Sequence, residues 1–292
     1  MLPFELPPTT GSSVSPMWDG RHFVLGDERT PVLEYSENLE GWTENLTAIH
    51  EAAVEGGAHP IDVASRKDAL RQVKVHMPSP KAVIMEIGCS SGYFIKDLAK
   101  ALPEAVIIAT DVVREPLYRL AKTCPGVPLI RFDLLRCPIP DQGVDIVVML
   151  NVLEHIEDDL GALRKVFNLL KPGGALVIEV PAFQSLYDAY DKEVRHFRRY
   201  SAEELYGKLT KAGFMVTRKS YLGVFIFPAF AAVKLMGKYL PFRKNKPVVQ
   251  EQIGSTASNR LLKWALEFES KRLSDVQLPF GVRVLAVAIK NG

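Results

Sequence analysis

Between residues 82 and 181, short β-branched runs alternate with amphipathic stretches, and this alternation restricts the fold more than any other feature of the chain. It specifies βαβ units, hence a doubly wound α/β architecture with a mostly parallel sheet. AVIMEI (82–87), VIIAT (106–110), PLIRF (128–132), VDIVVML (144–150) and ALVIEV (175–180) read as five strands. The fourth is almost continuously apolar, as a strand buried on both faces should be. Between the first two strands, Phe94, Ile95, Leu98 and Leu102 share one face of a helix that Pro103 stops. Pro116 opens the next helix, and Leu163, Val166, Phe167 and Leu170 form the stripe of a third. Ser201 and Glu204 read as a capping box for a helix over 202–212, closed by Gly213 and followed by a strand over 214–222.

Around this core (81–222) the organisation is less regular. Residues 1–35 carry Pro3, Pro7, Pro8, Pro16 and Pro31 and read as a mobile arm without regular elements. Residues 36–80 fit two helical stretches separated by Gly56, Gly57 and Pro60. The final strand arrives only at 282–292, so the insertion over 223–281 must carry structure of its own, including a helix over 258–273. With 47% apolar and 24% charged residues in 292, the chain is neither disordered, fibrous nor polytopic in a membrane. A net charge of +2 argues against a dedicated nucleic-acid binder. Three cysteines without a CxxC pair argue against a disulfide framework or a structural zinc site, and no metal is expected. No basic residue precedes Arg21 and no apolar leader follows, so no signal peptide is expected, and the cysteine usage suits a reducing cytoplasm.

The first strand runs directly into Glu86-Ile87-Gly88-Cys89-Ser90-Ser91-Gly92. At the carboxyl edge of a doubly wound sheet, such a loop brings backbone and a helix N-terminus close to a nucleotide. Ser90 occupies the second glycine of the dinucleotide fingerprint, which disfavours a nicotinamide-dependent oxidoreductase. The spacing Glu86-x-Gly88-x-Ser90-x-Gly92 resembles motif I of the class I S-adenosylmethionine-dependent methyltransferases, with Ser90 in place of the middle glycine. Further segments resemble the family in order: Asp111 after the second strand, Phe132-Asp133-Leu134 after the third, Asn151-Val152-Leu153-Glu154-His155 after the fourth, and Leu170-Lys171-Pro172-Gly173-Gly174 before the fifth.

The resemblance implies a seven-stranded Rossmann-like sheet with an antiparallel last strand, and S-adenosylmethionine as cofactor. It implies a cofactor site of Glu86, Gly88, Cys89, Ser90, Gly92, Asp111, Val112, Asp133, Leu134, Asn151 and Val152, with Asp111 on the ribose hydroxyls and Asp133 on the adenine. Methyl transfer from a sulfonium needs alignment and, for a hydroxyl acceptor, removal of one proton. Histidine is suited to that, and the catalytic candidates are His196 and His155. Arg198, Arg199, Tyr200 and Phe225 are the acceptor-binding candidates. A second reading, suggested by Ser90 and the lack of an unambiguous base, is a methyltransferase-like protein that binds without turnover.

Residues 207–246 contain nine Lys or Arg and no acidic residue, around the apolar run 222–233. That run is about half the length that spans a bilayer. It fits a lid over a small-molecule or lipid-like acceptor, a peripheral membrane contact whose Phe225, Phe227 and Phe230 meet lipid, or a helix packed on the protein's own core or, as a homodimer face, on a second subunit.

Overall fold

The computed structural model describes residues 2–36, 57–239, 260–273 and 276–291. The chain forms strands β1 (Met17–Trp18), β2 (Phe23–Leu25), β3 (Glu28–Thr30) and β4 (Val32–Glu34), then helix α1 (Pro60–His76). The alternating region follows as β5 (Val83–Ile87), α2 (Tyr93–Ala101), β6 (Val106–Asp111), α3 (Arg114–Thr123), β7 (Leu129–Arg131), β8 (Val144–Leu150), α4 (Asp159–Leu169) and β9 (Leu170–Pro181). Short α5 (Ala189–Glu193) and α6 (Ala202–Lys211) lead to β10 (Phe214–Leu222), α7 (Phe227–Tyr239), α8 (Arg260–Arg272) and β11 (Arg283–Lys290).

One eight-stranded sheet, ordered β10-β11-β9-β8-β5-β6-β7-β4, carries the molecule. β4 to β9 pair in parallel, and β11 runs antiparallel to both β9 and β10. The antiparallel last strand matches the expectation, and the strand count exceeds it by one. The additional strand is β4, from the segment expected to be an irregular arm: Val32 and Leu33 are buried and align with Leu129 and Ile130 of β7. The same arm forms the three-stranded meander β1-β2-β3, in which Trp18 packs on the fully buried Phe23. Its prolines lie outside the pairing positions, so they do not obstruct these short strands. The first of the two expected N-terminal helices falls outside the described residues, as do Arg243, Lys244 and Lys246.

The sheet buries both faces, because successive side chains point to opposite sides. In β8, Val147 and Met149 join one apolar cluster while Ile146 and Val148 join the other. The strand order reverses between β5 and β8, so the loops at their carboxyl ends diverge and leave a crevice. α1 and α8 pack together beside it, and Leu266 of α8 joins Ile61 and Ala64 of α1 in a third cluster. Among the described residues, no helix is long and apolar enough to cross a membrane.

Candidate active site

The crevice opens into one cavity of about 910 Å³. Its polar end is the loop after β5. The backbone N–H groups of Gly88 and Cys89 donate to the Thr110 carbonyl, and that of Ser90 donates to Asp111 Oδ2 at 2.7 Å. Asp111 Oδ1 accepts from the Val113 N–H at 2.8 Å, so each carboxylate oxygen keeps a lone pair for a ligand. Burial pushes the Asp111 carboxyl above its ordinary range, against the pull of these backbone donors. Gly88 has φ 76°, and a Cβ there would lie 2.5 Å from Cγ2 of Val152, so glycine is required by both conformation and space. Ser90, at φ 46°, shows that the middle position of the motif needs the left-handed region even though no glycine supplies it.

Glu86, Gly88, Cys89, Ser90, Asp111, Val112, Asp133, Leu134, Asn151 and Val152 all line this cavity. Gly92 does not: it is the N-cap of α2 at φ 70°, where a Cβ would run into Leu120. Asp133 accepts from the Leu135 N–H and so caps the short helical segment 134–136. Glu86 is buried with Oε2 unpartnered, and burial, reinforced by Asp111, pushes its carboxyl well above the ordinary range. The Cys89 thiol is likewise pushed up by burial, which makes it a poor nucleophile.

Beyond the loop lie His155 and His196, with ring centroids 4.6 Å apart. The N–H of Phe197 donates to the Glu154 carbonyl at 2.8 Å and so ties the two histidine-bearing loops together. His196 Nδ1 sits 2.8 Å from Asp191 Oδ1, and Arg199 Nε donates to both oxygens of the same carboxylate at 2.8 and 2.9 Å. Burial alone would raise Asp191, but the His196 and Arg199 partners hold it well below the usual carboxylate range. An ionised Asp191 accepts a hydrogen bond from Nδ1–H of His196, which leaves Nε2 with its lone pair free of a proton. Burial lowers the His196 pKa despite the opposing Asp191 hydrogen bond. The ring is therefore neutral near pH 7 and turned so that Nε2 lies 3.9 Å from Glu154 Oε1.

The acceptor-binding candidates separate. Phe225 lines the cavity and meets Phe268 of α8 edge to face. Arg199 lines it as well, but its Nε is committed to Asp191 and its Nη1 to the Ala182 carbonyl. Arg198 and Tyr200 do not reach the cavity. Tyr200 is fully buried with its hydroxyl on Asp159 at 2.9 Å, and Arg198 pairs with that same Asp159 at 2.6 Å. Phe227, expected to face lipid, packs against Phe183 and Phe280, because α7 turns that side onto the body of the protein. Phe230 also faces inward, between Arg199 and Lys234.

Three acidic residues of the site were not singled out in the sequence. Glu154 carried a signal, since it adjoins His155. Asp191 carried a weaker one in its five-residue spacing from His196 on a charged stretch. Glu179, a lone charge in the apolar run 175–180, accepts from Ser65, Asn151 and Arg283 and fixes the loop after β8.

Residues 85–178 match the family model described as a methyltransferase domain, the segment that carries the glycine loop, Asp111 and the Asn151–His155 turn. The matched segment is similar to class I S-adenosylmethionine-dependent methyltransferases, which supports that family and S-adenosylmethionine as its cofactor. It is 31% identical over 147 residues to a Mycolicibacterium smegmatis protein named a probable S-adenosylmethionine-dependent methyltransferase, covering 49% of this chain and 54% of that one. The chain thus spans about half the length of the curated relatives it matches. Among solved structures, a Haemonchus contortus phosphoethanolamine N-methyltransferase superposes with a TM-score of 0.54 at 14% identity, over 84% of this chain and 57% of that one. The [4+2]-cyclase SpnF superposes with a TM-score of 0.52 at 17% identity, over 77% and 80%. At these identities the structural likenesses speak for the fold of the family and nothing finer.

Proposed function

We propose that the protein transfers the methyl group of S-adenosylmethionine to an oxygen of a small-molecule or lipid- or glycan-linked acceptor with an apolar body. One observation carries this reading: a single cavity joins the cofactor loop to the polar group Glu154, His155 and His196 and to an apolar wall of Phe225, Ile226, Ala229 and Leu262. The loop end offers Asp111 for the ribose and Asp133 for the adenine. The polar group receives the acceptor oxygen, which loses its proton as its lone pair attacks the methyl carbon and the sulfur keeps the bonding pair. The apolar wall, built by the insertion, holds the acceptor's body and excludes water. Exposed Leu261, Trp264 and Phe268 on α8 support an acceptor drawn from a membrane surface.

Calorimetry with S-adenosylhomocysteine should show saturable binding. Incubation with methyl-labelled cofactor and separated polar-lipid and small-molecule fractions should place the label on an acceptor oxygen, located by mass spectrometry. Failure to bind either cofactor form would reject the reading, and binding without transfer to any fraction would favour the non-catalytic alternative.

A further inference from the structure

Glu154 is the most anomalous side chain in the cavity. It is completely buried, yet neither carboxylate oxygen has a hydrogen-bond partner. A buried carboxyl without partners is costly, and in a functional cavity it points to a ligand that completes it. Ligand atoms of Glu154, His155 and His196 all lie within 4.8 Å of one another. His196 is pre-set for such a ligand: Asp191 occupies Nδ1 at 2.8 Å, and Nε2 is directed at Glu154. This carboxylate–imidazole relay is the arrangement that fixes the tautomer and raises the basicity of metal-bound histidines. The nearby cations do not fill the space, because Arg199 is committed to Asp191 and Lys234 to Asp188 at 2.7 Å.

We propose that Glu154, His155 and His196 form a binding site for one divalent transition-metal ion, of the Mn²⁺, Fe²⁺ or Zn²⁺ class, with open positions facing the acceptor space. Two imidazoles and one carboxylate are the donor set these ions accept, whereas Mg²⁺ and Ca²⁺ favour oxygen ligands throughout. Ligand atoms held about 2.0–2.2 Å from one ion sit closer together than the present limit, so the trio tightens inward on binding. The proposal departs from the sequence expectation of no metal, because folding joins an adjacent Glu-His pair to a histidine far along the chain.

The use of the ion, though not the site itself, rests on the methyltransferase reading. A hydroxyl oxygen of the acceptor fills an open position, and the ion lowers its pKa so that the proton passes to solvent. The oxygen lone pair then forms the new C–O bond, the S–CH3 bond breaks, and its electron pair stays on sulfur as neutral S-adenosylhomocysteine.

The test uses chelator-treated, tag-free full-length protein titrated with Mn²⁺, read by calorimetry and by loss of the free-Mn²⁺ electron paramagnetic resonance signal. Zn²⁺ serves as competitor. The expected result is one ion per chain, with affinity reduced at least tenfold in both Glu154→Gln and His196→Gln, while each variant retains the wild-type melting profile and S-adenosylhomocysteine affinity. Absence of Mn²⁺ and Zn²⁺ binding at millimolar concentrations, or binding unchanged in both variants, would overturn the site. Wild-type protein that takes the ion but not S-adenosylhomocysteine would support the site and overturn the methyltransferase reading.

Discussion

The backbone N–H of Ser90 donates to Asp111 Oδ2 at 2.7 Å, so the tip of the glycine loop is held by the carboxylate that ends the neighbouring strand. Asp111 therefore has two tasks, shaping the loop and presenting lone pairs to the cavity. Asp111→Ala removes both and should weaken S-adenosylhomocysteine binding by about one to two orders of magnitude, the scale of a hydrogen bond to a charged group. Asp111→Asn is no conservative substitute, because its amide has one accepting oxygen for two backbone donors, Ser90 and Val113. Calorimetry should show a substantial loss for Asn as well. Unchanged affinity in both variants would remove Asp111 from the cofactor site.

Tyr200 separates a structural role from a substrate role. Its hydroxyl donates to Asp159, which also receives Lys208 at 2.9 Å and pairs with Arg198. Burial acts to raise Asp159, but the hydrogen bonds from Lys208, Tyr200 and Arg198 outweigh it and leave the carboxyl below its usual value. Tyr200→Phe removes one donor and should cost about 1–2 kcal/mol, seen as a melting temperature lower by a few degrees. Cofactor and acceptor affinities should stay at wild-type values, since Tyr200 does not line the cavity. A selective rise in acceptor KM without a stability change would contradict this placement.

The parallel core was legible in the sequence because its signal is local. β8 was readable to the residue from its continuous apolar run, β10 was readable to the residue as well, and α2 nearly so from the stripe of Phe94, Ile95 and Leu98. β4 was not, because three residues acquire strand character only by pairing with Leu129–Arg131, a partner no local pattern announces. The residues that line the loop end of the cavity were legible for a similar reason, as they lie at or just after the carboxyl ends of strands. The Glu154, His155, His196 and Asp191 arrangement was hidden because it depends on a loop-to-loop contact, Phe197 N–H to Glu154 carbonyl. The separation of Arg199 from Arg198 and Tyr200 likewise depends on which carboxylate each meets after folding.

Glu86 gives the protein a pH signature. Burial and the Asp111 charge raise its folded-state pKa, so the folded chain retains a proton that the unfolded chain releases above the ordinary Glu range. Stability from this residue is therefore full at low pH and declines as pH rises through that range toward the folded value. Glu86→Gln cannot ionise. Its melting temperature should match wild type near pH 4 and exceed it increasingly toward pH 8 in the cofactor-free protein. A variant no more stable than wild type at pH 8 would show that Glu86 has a compensating partner.

The exposed face of α8 bears on where the acceptor comes from. Leu261 is 71% exposed and Trp264 64%, and Trp264 stacks on Phe268 at 5.8 Å. Arg260 and Lys263 are exposed on the same helix. An amphipathic surface of this kind inserts its apolar side chains at the level of the lipid headgroups while the cations remain beside anionic phosphates, each adding about 1 kcal/mol at low salt. Phe227 is the wrong residue with which to test this, because it packs inward on Phe183 and its loss would disturb the fold. Trp264→Glu changes only the outer surface. Wild-type protein should co-sediment with vesicles of phosphatidylcholine and phosphatidylserine at low salt and release as salt rises, because the attraction is screened. Trp264→Glu should sediment several-fold less while keeping its S-adenosylhomocysteine affinity. Vesicle binding that is absent in wild type, or unaffected by Trp264→Glu, would mean that this face does not meet lipid and that a soluble acceptor reaches the cavity directly.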